Sequence, residues 1–116
     1  MNWINPIFLL PLLSGLVFIG VAYVMANYPP KEINSFYGYR TRSAKKTQER
    51  WDFAQAYSAQ ELRTNGLILA IIGLFGLFIP LNESAILTIA IGATLLFTVI
   101  PIIKTEVKLK EKFRTE

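Results

Sequence analysis

The sequence contains no cysteine and no histidine. Without thiolates there is no disulfide framework, no iron–sulfur cluster and no cysteine-based zinc site. Without imidazoles there is no Ser-His-Asp triad and no side chain that ordinarily changes charge near neutral pH. A Ser–Lys pair or a carboxylate site remains open in principle, but neither has a local pattern here. The expectation is a non-enzyme with no cofactor and no bound metal. Charge is the third scarcity, at 17% of residues, and it is segregated. All 12 Lys and Arg fall within residues 31–63 and 104–114, and Glu83 is the one acid outside these two blocks and the final residue. A soluble domain needs charged faces on every helix. The long uncharged stretches therefore exclude a soluble globular fold.

Those stretches read as three membrane spans. Residues 7–26 are uncharged and include twelve Leu, Ile, Phe or Val. At about 1.5 Å per residue they cross a hydrocarbon core of about 30 Å, and those twelve favour insertion by about 4–7 kcal/mol. Pro11 sits in the first turns, where a missing N–H is best tolerated. A cleaved signal peptide would need a basic start and a shorter apolar run, so a retained helix over about 7–27 is expected. The second span is predicted over about 64–81. Its Gly66, Ala70, Gly73 and Gly76 suit close helix packing in lipid, although glycine is common in membrane helices anyway. A turn at 80–84 follows, with Asn82 or Ser84 as helix cap, and the third span covers about 85–103, with Pro101 near its end.

The positive-inside rule places both basic blocks in the cytoplasm. Three spans then put the N-terminus outside and the C-terminus on the cytoplasmic side of the membrane. Trp3 is expected at the outer interface and Tyr28 at the inner one. No span has an ionisable residue at its centre, which argues against a pump or an autonomous ion-coupled carrier.

Between the first two spans, residues 28–63 hold most of the information. Tandem Pro29-Pro30 ends the first helix. Gly38 between Tyr37 and Tyr39 points to positive φ or to close approach of another segment. The expected structure is a cytoplasmic hairpin, then an amphipathic helix from about residue 46. There Trp51, Ala54, Ser58 and Leu62 share a stripe, and Phe53 and Tyr57 pair at i,i+4. Ser43 is the expected N-cap. That helix either continues into span two or bends at Asn65-Gly66. On composition the aromatics fit an interfacial belt better, with the arginines as topology markers. Glu49 and Asp52 at i,i+3 read as surface ion pairs rather than a metal site. The tail, 104–116, reads as a basic juxtamembrane patch drawn to anionic lipid. Nucleic acid is not an expected partner, since no groove-reading motif accompanies the charge.

The run Asn27-Tyr28-x-Pro30, Ile33-Asn34, Tyr37-Gly38-Tyr39-Arg40-Thr41, Ser43 and Trp51 resembles the signature of the SdpI family of small bacterial integral membrane proteins. The resemblance implies an all-α integral membrane protein, a single membrane domain over 1–116. It also implies immunity to a membrane-active peptide toxin, or signalling through a partner membrane or regulatory protein. Its shared cytoplasmic-face site would comprise Pro30, Asn34, Tyr37, Gly38, Tyr39, Arg40, Thr41 and Trp51. Arg40 is the expected anchor, because a guanidinium binds a phosphate, a carboxylate or a helix C-terminus bidentately; Asn34 and Thr41 would complete its hydrogen bonds. Its partner is either external or the protein's own chain. An accessory subunit of a transporter or lipid-handling complex is the alternative. Self-association is expected, since three helices bury little against one another.

Overall fold

A computed structural model describes residues 4–114. A 3-10 turn, Pro6–Phe8, leads into α1 (Leu9–Asn27), followed by α2 (Gln48–Phe78) and α3 (Glu83–Lys112). All three helices are long and apolar enough to cross a membrane. Trp3 and the last two residues of the tail lie outside the described residues.

The seam between α1 and α2 is built on missing side chains. A Cβ on Gly15 would collide with the Gly66 carbonyl and the Ala70 backbone; one on Gly73 would meet Leu12, and one on Gly76 the Phe8 ring. In lipid there is no hydrophobic drive between helices, so attraction comes from such backbone-to-backbone contact. The small-residue pattern of span two thus forms a helix interface. At the far end of the bundle Asn5 caps α2. Its backbone N–H donates to Leu77 O at 2.8 Å, and its Nδ2 to Gly76 O at 2.9 Å and Ile79 O at 2.7 Å. Terminal carbonyls of a helix have no partner within it, and this asparagine supplies one.

Of the two courses open to the helix expected from about residue 46, it continues: that segment and the second span form a single uninterrupted α2 of 31 residues. Asn65-Gly66 does not bend it: Asn65 bonds back to the Glu61 carbonyl at 2.8 Å, and Gly66 is pinned against α1. The N-cap is Thr47 rather than Ser43, its hydroxyl accepting from the Arg50 N–H at 3.1 Å. Phe53 and Tyr57 do pair, with ring centroids 5.6 Å apart.

Asn82 caps α3 through the Ala85 N–H at 2.8 Å. Pro101 lies inside α3 without ending it, and the basic tail is helical, because α3 runs on to Lys112 with its Lys side chains exposed. The reason is apolar. Leu109 and Phe113 are buried against Ala44 and Ala54, with Phe53 packed beside them, and Lys104 pairs with Glu61 at 3.7 Å. Residues 28–47 between α1 and α2 form no hairpin; they make an irregular strap of bends and turns laid across one end of the bundle.

Candidate functional site

The strap carries nearly every signature residue, and most of them hold it down. Trp51, fully buried on α2, donates its indole N–H to Pro30 O at 2.7 Å. Gln55, one turn on, brackets Tyr39: its Oε1 accepts the Tyr39 N–H at 2.7 Å and its Nε2 donates to the Tyr39 carbonyl at 2.8 Å. This is the pairing a neighbouring strand would give, supplied by one side chain. It requires Gly38, whose φ is 101° and where an added Cβ would meet both Gln55 and Pro30. Glycine takes that conformation without strain.

Asn34 shapes the tip of the strap. Its Oδ1 accepts the N–H groups of Phe36 and Tyr37, each at 2.8 Å, and its Nδ2 donates to Glu32 O at 2.9 Å. Such an Asx turn replaces backbone pairing by side-chain pairing. Phe36 stands 90% exposed on that turn. The Tyr37 hydroxyl donates to the Tyr28 carbonyl, tying the strap to the end of α1.

The third fastening reaches α3. The hydroxyls of Tyr39 and Thr41 both donate to Glu106 Oε2, at 2.6 and 2.7 Å. Burial alone would raise the pKa of Glu106. Hydrogen bonds from Tyr39, Thr41 and Ser43, with the charge of Lys110, outweigh it and hold the carboxyl below its ordinary value. Burial, then the hydrogen bond to Glu106 and its charge, pushes the Tyr39 phenol well above its usual range, so it remains a donor. A carboxyl depressed on folding contributes stability that is fully present above its unfolded pKa and is lost as pH falls through its folded one. In detergent, wild type should therefore melt above Glu106→Gln at neutral pH, and the gap should close as the pH falls below the ordinary glutamate range. A gap that stays constant through that window would remove Glu106 as the titrating fastener.

Arg40 is not the buried cation. It is exposed and, among the described residues, is not bonded by Asn34 or Thr41, whose side chains are engaged as above. The buried guanidinium is Arg50, 6% exposed, with Nε donating to Ser43 O at 2.9 Å and Cζ 5.3 Å from the centroid of the Phe113 ring. Pro30, Tyr37, Gly38, Tyr39, Thr41 and Trp51 are thus brought together as a latch, Asn34 shapes its tip, and Arg40 points away from it. Gln55, Arg50 and Glu106 complete the arrangement and were missed. The signal for Glu106 was faint: one acid among the basic residues that follow the third span.

Three apolar helices with a strap latched across one end define a small multi-pass membrane protein. The chain belongs to the SdpI/YfhL protein family, whose sequence profile matches residues 31–105. It is 41% identical over 63 residues to the "Uncharacterized protein YfhL" of Bacillus subtilis (strain 168), an alignment covering 54% of this chain and 57% of that relative. The chain thus spans little more than half the length of the curated relative it matches. No solved structure is significantly similar to it.

Proposed function

We propose that this chain is a non-enzymatic protein of the immunity and signalling type in a bacterial cytoplasmic membrane, with its N-terminus outside and the strap and C-terminus in the cytoplasm. Membership of the SdpI/YfhL family over residues 31–105 carries this reading. The protein works by binding a membrane-active peptide, or a regulatory partner, at the strap. Because the inward side chains of the strap are occupied in fastening it, recognition falls to the outward ones, Phe36, Arg40 and Arg42, all exposed. The orientation follows from the distribution of Lys and Arg. A cysteine placed at Ser84 should react with an impermeant thiol reagent on intact cells, and one at Lys46 should not; the opposite pattern would invert the proposed topology.

The test of function is survival. Toxin-sensitive bacteria expressing this chain are challenged with a membrane-active peptide toxin of the type that SdpI-family immunity proteins neutralise. Wild type should protect, and Arg40→Ala at matched membrane abundance should protect less. Absence of protection from well-expressed protein would sink the immunity reading. It would favour the accessory-subunit alternative, which has its own support in α3: Leu87, Ile91, Leu95 and Ile102 leave a long apolar face exposed for a partner helix.

A further inference from the structure

Beside the latch, on one side of the α1–α2 pair, lies a cleft of about 810 Å³. Its walls are the small or apolar residues Ala22, Met25, Ala56 and Ala59, and its rim is polar, with Lys31 at one end and Arg63 at the other. Gly66 packs on Phe18 and Ile19, so Arg63 sits about one turn nearer the strap than that contact and several residues short of the end of α1. This is the level at which the Glu61–Lys104 pair closes the opposite side of the bundle, 3.7 Å apart. Charged residues of this kind gather where hydrocarbon gives way to headgroups. Side chains of a helix tilt toward its N-terminus. The Arg63 guanidinium accordingly rises into the cleft, where it has no ion-pair or hydrogen-bond partner among the described residues.

We infer that the cleft is a phospholipid headgroup site, with the lipid phosphate on Arg63. The acyl chains run down the exposed apolar surface below it, past Leu16, Leu67 and Leu74. The phosphate settles at Arg63 rather than Lys31 because Asp52, whose carboxylate accepts from Gln48 at 2.8 Å, lines the Lys31 end and repels an anion there. The side-chain carbonyl of Gln60, one turn from Arg63 on the cleft wall, accepts a hydrogen bond from a small head that can donate one. A phosphatidylglycerol head meets both demands; phosphatidylcholine, lacking a donor, meets only the first. A guanidinium–phosphate contact is bidentate and charge-assisted, the strongest kind available at such a depth.

The experiment is native mass spectrometry of the purified full chain in mild detergent, with phosphatidylglycerol and phosphatidylcholine of the same acyl chains added in turn. One phosphatidylglycerol should be retained in preference to phosphatidylcholine. Arg63→Gln should weaken retention about tenfold, the loss expected of a hydrogen bond to a charged group. Ala56→Trp, at an exposed position, should fill the cleft and weaken it independently. Lys46→Gln, at an exposed cation outside the cleft, should leave it unchanged. Equal retention of both lipids, wild-type retention by both cleft variants, or displacement of the lipid by millimolar inorganic phosphate would each overturn the assignment. The last of these would mark a soluble-anion site instead.

Discussion

Replacing Trp51 by alanine should release the strap from α2. The side chain is fully buried and its N–H is the partner of the Pro30 carbonyl, so truncation removes both packing and a hydrogen bond. Loss of a buried aromatic costs about 3–5 kcal/mol, a large fraction of what usually holds a small protein together. The effect should be localised. Limited trypsin digestion should cut the variant at Arg40, Arg42, Lys45 or Lys46 many times faster than wild type, while cleavage near Lys104 changes little. Trp51→Phe separates the two contributions: it keeps a ring but leaves the Pro30 carbonyl unpaired, at about 1–3 kcal/mol. Equal strap cleavage in wild type and Trp51→Ala would show that the indole is not what holds the strap.

The other large effect belongs to the helix seam. Gly15→Leu should cost more than the roughly 1–3 kcal/mol of ordinary overpacking, because its side chain meets the Gly66 carbonyl and Ala70 backbone rather than a movable side chain. The expected outcome is loss of the monodisperse protein on gel filtration in detergent. Gly20 supplies the control. Nothing lies within 4 Å of a Cβ added there, so Gly20→Leu should fold normally and present one more apolar group to lipid. If the two variants behave alike, the close crossing of α1 and α2 is not what organises the bundle.

The membrane frame was legible in the sequence because hydrocarbon excludes charge over whole helix lengths, a constraint that survives without any knowledge of contacts. The Trp51 stripe was legible for a similar reason, its period being local. Glu106 was not, since its partners Tyr39 and Thr41 lie more than sixty residues away, at separations of 67 and 65. Arg40 reads as the anchor in the sequence because it stands between aromatic and hydroxyl neighbours in a dense motif. Yet along 39–43 burial alternates, with Tyr39, Thr41 and Ser43 turned inward and Arg40 and Arg42 outward. Over 39–41, before the turn at 42–45, that is the period of two of an extended chain, and it places Arg40 on the outer face. The single α2 was a matter of tertiary override: Asn65-Gly66 has the composition of a break, but contact with α1 keeps it helical.

An unbroken α2 also has the geometry of a rigid lever. It has no hinge between the end gripped by Asn5 and Phe8 and the end that carries Trp51 and Gln55. If the glycine crossing with α1 is its fulcrum, a rotation of about 5° there swings the Trp51 end through about 2 Å, given a rise of about 1.5 Å per residue. That displacement exceeds what the Trp51–Pro30 and Gln55–Tyr39 hydrogen bonds tolerate. A tilt of α2 at its Asn5 end would thus loosen the strap at the other end, with no change in the helix itself.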